Sequence, residues 1–399
     1  MAETTTGVQY GASTKAKPMH HFFNHSREGL LMDGIKLGRI FGISIEFHST
    51  FLLLIAGIAL LLAIFDINNL IPTMMLMFFL FLSVFIHELF HSIVSIMRGI
   101  KVEKIILLPI GGISVTERIP EKPLDEFLIA IAGPAFNFIA VAAIIIIVAL
   151  APNLPWPHYL FTGTEPSIEQ FNEAILAYPL FGLFWVNFML GLFNLVVPAL
   201  PMDGGRVLRS ILSWRFGFAR ATRIATRVSA VIAVIIAILA LLSGNIILLI
   251  IAGFVYFGSI QENEFVSMKE TFRDEDISQI VRKKHTTMKG TETLESVFEK
   301  MREKNISVVL VNNEAGTGFI SLQALMRVKR TNWPVVYAQD AASAIPEIDK
   351  SARGEEVFMK VFSRGFPIVA VKSNGKFIGY LFSDDLQTFY DIMRLKKQK

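Results

Sequence analysis

The chain has 399 residues, of which 53% are hydrophobic, with a mean hydropathy of +0.52 and a formal net charge of +4. That is too apolar for a soluble protein of this length, and the modest charge gives no reason to expect a nucleic-acid partner. Cysteine is absent, which excludes a disulfide framework, Cys-ligated zinc and a thiol nucleophile.

Residues 1–30 hold no apolar core of the kind a signal peptide needs, and 1–47 read as a cytoplasmic N-terminal tail. His20, His21 and His25, interleaved with Phe22 and Phe23, belong to that tail. Six apolar segments follow, at 49–65, 72–97, 127–150, 177–200, 228–243 and 245–260. At 1.5 Å per residue the second, third and fourth are long enough to cross about 30 Å of hydrocarbon. The last two are separated by Gly244 and its polar neighbours, and read as a tight helical hairpin. The expected fold class is a polytopic α-helical membrane protein of about six transmembrane helices with a soluble α/β module behind it. The membrane part is expected over 48–260, a charged linker over 261–276 and the soluble module over 277–392.

Charge sets the orientation. Loops 66–71, 151–176 and 243–245 contain no Lys or Arg. Loop 98–126 contains Arg98, Lys101, Lys104, Arg118 and Lys122, and loop 201–227 contains six arginines. With every basic loop on one side, the positive-inside rule places both termini of a multi-pass cell-membrane protein in the cytoplasm. Glu103, Glu117, Glu121, Asp125 and Glu126 read as a solvated face, with Asp125 near a helix start. His48, at the start of the first span, reads as an interfacial residue.

The second span carries His87-Glu88-Leu89-Phe90-His91 inside a run of hydrocarbon. On a helix this spacing puts two imidazoles on one face, one turn apart, where both reach a single metal ion. The intervening Glu88 is placed to take a proton from an attacking water. Ionisable groups at membrane depth are costly and mark a site. The candidate third ligand is Asp203, in Pro198-Ala199-Leu200-Pro201-Met202-Asp203-Gly204-Gly205. Proline and glycine break the helix there, and irregular backbone survives at that depth only beside protein or a water-filled cavity. Asn194 reads as a donor to the oxyanion or as a helix–helix hydrogen bond. The apolar, turn-rich stretch Ile105–Ile113, with Gly111 and Gly112, reads as a re-entrant strand or hairpin whose edge an extended substrate pairs with. The competing reading is a plain cytoplasmic loop. Gly133-Pro134 reads as a packing kink rather than a hinge.

In order along the chain, His87-Glu88-x-x-His91, Leu107-Leu108-Pro109-Ile110-Gly111-Gly112, Ala132-Gly133-Pro134 and Phe193-Asn194-Leu195 with Pro201-Met202-Asp203-Gly204-Gly205-Arg206 closely resemble the site-2 protease family of intramembrane zinc metalloproteases. The likeness covers roughly 36–260 and is strongest to the archaeal branch. It implies one zinc per chain on His87, His91 and Asp203, Glu88 as general base, and a membrane-protein substrate cut within or beside its transmembrane segment. Phe90 stands where many members carry Gly, and Met202 where the Asn-Pro-Asp-Gly form has proline.

Beyond 276 two halves look alike at an offset near sixty. This part resembles a tandem CBS-domain module, which implies an adenine nucleotide between the halves, with Ser321 and Asp385 as candidate contacts. Each half is incomplete: Ala324 stands at the Asp position of the first, Phe382 at the hydroxyl position of the second. The competing reading is a homodimerisation or substrate-docking module. For the whole chain the rival is a divalent metal transporter or channel regulated by its CBS pair. Against it, a transporter needs no Glu between its His ligands, and no second copy of the His-Glu segment exists.

Overall fold

A computed structural model describes residues 35–109, 111–158, 167–273, 277–283, 285–313, 316–350, 354–358, 361 and 366–397. The histidine cluster of the tail and Ile110 lie outside them. The chain opens on β1 (Ile35–Ile40) and β2 (Ile43–Phe47), then runs through α1 (Ser49–Phe65), α2 (Leu70–Met97), β3 (Val102–Leu108) and β4 (Gly111–Thr116). There follow α3 (Pro123–Leu150), α4 (Ile168–Ala177), α5 (Pro179–Val196), α6 (Asp203–Phe216), α7 (Phe218–Ser243) and α8 (Ile246–Phe272). Five of these helices, α2, α3, α5, α7 and α8, are long and apolar enough to cross a membrane; α1, with 17 residues, is shorter. The protein is a polytopic membrane protein, and its spans fall where the apolar segments lie.

Two boundaries differ from the sequence expectation. Residues 35–47, counted with the tail, form β1 and β2 and complete a four-stranded sheet in the order β1-β2-β3-β4. Ile43 and Ile45 on β2 are buried, and β2 pairs in parallel with β3. The stretch 261–272, expected as linker, continues α8. Among its charges, Glu262, Lys269 and Glu270 have ion-pair partners. Lys269 and Arg273 both bind Glu121, and Arg223 pairs with Glu270. Burial pushes the Glu121 carboxyl up, but the Lys269 hydrogen bond and the charges of Lys269 and Arg273 outweigh it and hold it below the usual range.

Glu126 also departs from the solvated-face reading. It is buried in the first turn of α3 and binds Arg209 of α6, itself 2% exposed, whose Nη1 reaches Glu262 of α8 at 2.5 Å. The guanidinium lies 4.8 Å from the Phe218 ring centroid. Arg209 thereby ties three helices, and its loss would leave two carboxylates without the cation that bridges them.

The soluble part repeats one unit. β5 (Thr287–Lys289), α9 (Leu294–Lys304), β6 (Val308–Asn313), β7 (Gly316–Ser321), α10 (Leu322–Met326), α11 (Ala338–Ala341) and β8 (Ser343–Ala344) form the first half. β9 (Glu347–Asp349), α12 (Gly354–Phe358), β10 (Ile368–Ser373), β11 (Lys376–Phe382) and α13 (Ser383–Lys397) form the second. In each, a short strand pairs in parallel with a central strand that pairs antiparallel with the next. The halves meet through Val308, Leu310, Phe319, Ile368 and Phe382. The end of α8 enters the second core, where Phe272 packs with Phe358 and Leu386, and Phe265 and Met268 lie against it. One helix is therefore shared by the membrane part and the soluble module.

Candidate metal centre

The second helix is apolar outward and polar inward. Ser83, His87, His91 and Ser95, spaced by four residues, are buried on one stripe, while Phe78, Leu82 and Met97 are exposed. In a bilayer this is the stable arrangement, since polar groups gain partners only inside the bundle.

The His87 and His91 Nε2 atoms lie 3.0 Å apart, and Asp203 Oδ2 stands 3.1 and 3.2 Å from them. All three residues are under a tenth exposed. Among the described residues they form the one His/Asp/Glu group placed to hold a metal ion. Two ligands of a tetrahedral zinc with bonds of about 2.1 Å lie roughly 3.4 Å apart, so the triangle fits that ion closely.

Hydrogen bonding fixes which face each imidazole shows. His91 Nδ1 lies 2.5 Å from the Ile129 carbonyl, which only accepts, so Nδ1 carries a proton and Nε2 is the nitrogen left to face a metal. His87 Nδ1 meets Asn137 Oδ1 at 2.5 Å. With both imidazoles neutral, two lone pairs and a carboxylate oxygen converge with no proton between them. Such a cluster is repulsive by itself and is relieved by a cation, so the donor set fits zinc chemically as well as in size.

Asp203 reaches the centre as the first residue of α6. Glycine is required behind it. A Cβ on Gly204 would overlap the Val197 carbonyl and stand 2.5 Å from that of Leu195; one on Gly205 would overlap Ala199. The irregular segment 197–202 is held by α7, where Ser229 Oγ accepts from the Leu200 amide. The other carboxylate oxygen, Oδ1, lies 3.6 Å from Arg206.

Glu88 is not one of the three donors. Its Oε2 accepts from Ser114 Oγ of β4 at 3.0 Å, and Ser114 in turn touches Ser92. Gly112 lies on the same face of β4 as Ser114, and a Cβ there would overlap Glu88 Cγ. The expected hairpin thus exists as β3 and β4, with β4 at the edge of its sheet beside Glu88. Gly111 faces open space with φ +135°, a conformation suited to glycine at the turn. Asn194 is half-buried in the last turn of α5. Phe90 packs against Phe136 of α3, at 4.9 Å between ring centroids. Gly133 presses on the centre itself, because a Cβ would overlap His91 Nε2 and stand 2.6 Å from His87 Nε2. Its lack of a side chain leaves room for the two imidazoles. His48 caps α1, its Nδ1 accepting from the Thr50 amide.

Asn137, Asn187, Ser114 and Arg206 escaped sequence reasoning as site residues. The available signal was that a buried apolar span holds few reasons for Asn, and Asn137 lies one turn beyond Gly133.

In the soluble module a cavity of about 550 Å³ lies between the halves, lined among others by Arg282, His285, Ser307, Phe382 and Asp385. Asp385 pairs with Arg282 through Oδ1, while its buried Oδ2 has no hydrogen-bond partner among the described residues. Ser321 does not line this cavity, and its hydroxyl accepts from the Ala324 amide as the cap of α10.

Both parts of the chain are similar to known proteins. The model of peptidase family M50 matches residues 75–239, and that of the CBS domain matches 277–330. The zinc metalloprotease MJ0392 of Methanocaldococcus jannaschii is 33% identical over 372 residues, 91% of this chain and 98% of its own length. Stage IV sporulation protein FB of Bacillus subtilis is 25% identical over 38% of this chain and 44% of its own. Among solved structures, a site-2 protease from Methanocaldococcus jannaschii is 40% identical, covering 58% of this chain and 95% of that one, with a TM-score of 0.43.

Proposed function

The chain belongs to peptidase family M50, and on that premise we propose that His87, His91 and Asp203 hold its zinc and that Glu88 is the general base. It is an intramembrane zinc endopeptidase with a CBS regulatory module. The observation that carries the site assignment is the convergence of two Nε2 atoms and one carboxylate oxygen within 3.2 Å, with Glu88 beside it but outside the triangle.

Bound zinc supplies Lewis-acid polarisation of the scissile carbonyl and lowers the pKa of water. The residues of the chain do the rest. Asp203 is steadied by Arg206, and Ser114 holds Glu88. Glu88 takes the proton of the attacking water and returns it to the leaving amide nitrogen. A transmembrane helix hides its peptide bonds, so the substrate must first be extended. The free edge of β4, with Gly111 and Gly112, is where an extended segment adds as a fifth strand next to Glu88. Asn194 is assigned to the substrate side, as a donor to the developing oxyanion.

The termini are assigned to the cytoplasm by the basic loops. The domain limits follow as 1–34 for the tail, 35–260 for the membrane part with α8 extending it, and 277–392 for the CBS pair. The cavity between the halves takes an adenine nucleotide, with the free Asp385 Oδ2 accepting from a ribose hydroxyl; a homodimer through the same module is the other use of these surfaces.

One preparation tests both parts. In proteoliposomes the full chain cleaves a tagged single-span substrate, a zinc chelator stops cleavage, and one equivalent of zinc restores it. ATP binds the same protein, and Asp385→Ala weakens binding by about tenfold, the worth of one charge-assisted hydrogen bond. Zinc flux across the vesicles without cleavage would favour the transporter. Unchanged ATP affinity in the variant would remove Asp385 from the nucleotide site.

A further inference from the structure

We infer that Asn187, on α5, is a positioning residue that sets the tautomer of His87. The inference rests on His87 as a metal ligand. The two imidazoles are oriented by different means. His91 Nδ1 donates straight to a main-chain carbonyl, that of Ile129, which no side-chain substitution removes. His87 Nδ1 faces a side-chain amide, Asn137, whose oxygen and nitrogen ends differ only in what surrounds them.

The orientation of Asn137 is decided one residue further out. Asn187 Nδ2 donates to the Leu183 carbonyl at 2.9 Å and to Ser83 Oγ at 3.0 Å. A carbonyl cannot donate, so the nitrogen of Asn187 must face Leu183 and its oxygen must face away. That oxygen accepts from Asn137 Nδ2 at 2.9 Å. Asn137 therefore turns its own oxygen toward His87, which must offer Nδ1–H to it. His87 Nε2 is left with its lone pair on the metal side. The chain of constraint runs from a backbone carbonyl through two amides to a ligand, across α5, α3 and α2.

Burial makes the constraint strict. Asn137 is fully buried and Asn187 is 2% exposed. Reversing either amide would set oxygen against oxygen or nitrogen against nitrogen without water to compensate. With Asn187 replaced by an apolar side chain, Asn137 is free to turn its NH2 toward His87. That favours the tautomer with the proton on Nε2, which cannot bind metal.

The test is the zinc dissociation constant of the full chain in detergent, measured by competition with a chelator, with the thermal stability of the metal-free protein recorded alongside. Asn187→Leu weakens zinc by about ten- to a hundredfold, the usual cost of losing a partner behind a ligand. Asn187→Asp retains an acceptor for Asn137 and stays within about threefold of the parent chain. Ser83→Ala does the same, although each lowers stability. If Asn187→Leu does not fold, Asn187→Ala carries the same expectation. Parent affinity in the apolar variant, or equal weakening in the Leu and Asp variants, would overturn the inference and leave Asn187 a packing residue. Failure of the parent chain to bind zinc would instead count against the metal site itself.

Discussion

Glu88→Gln keeps its zinc and loses cleavage, with kcat falling by about 10²- to 10⁴-fold, the range of a missing general base. The substitution preserves shape and the contact with Ser114, since an amide oxygen still accepts from that hydroxyl. It removes only the capacity to take a proton. The three donor atoms of the triangle come from other residues, so metal content measured on the same preparation stays at about one per chain. Loss of zinc from this variant would make Glu88 a ligand, and retained cleavage would move the base elsewhere.

Gly133→Ala separates helix stability from the site. Alanine in the middle of a helix is favoured over glycine by about 0.5–1 kcal/mol, so local propensity alone predicts a more stable α3. The added Cβ falls on His91 Nε2 and 2.6 Å from His87 Nε2. The imidazoles must turn away, and a displacement near 1 Å costs about 10²-fold in rate. The expected result is a folded protein with less than one zinc and cleavage lowered by about that factor. Full metal content with parental turnover would show that the two rings do not meet where the structure places them.

The candidate site is legible where it is written locally. His87, Glu88 and His91 share one helix, so spacing alone puts the imidazoles on one face. Asp203 was marked by the prolines and glycines around it, because regular helix could not continue there. The residues behind the ligands left little such trace. Asn137 and Asn187 are 50 residues apart, and Ser114 lies 26 residues from Glu88. Each is a lone polar residue whose partner only the packing reveals. Charge misled for the same reason. Glu126 looks like a solvated helix start, yet its partner Arg209 is 83 residues away, and together they are buried. The segment 261–272 looks like a linker because it is charged, although Lys269 finds Glu121 and Phe272 finds the core of the second half of the module. In the first half, Ser321 matched a nucleotide contact by type but is occupied in capping a helix. The second half kept Asp385, and that carboxylate does face the cavity.

The most direct test of the zinc centre is X-ray absorption at the zinc edge on the purified full chain, with Asp203→Ala beside it. The account predicts one zinc per chain bound by nitrogen and oxygen at about 2.0–2.2 Å in four-coordinate geometry, and loss of that signal in the variant. A parent protein without zinc, or an identical spectrum after Asp203 is removed, would contradict it.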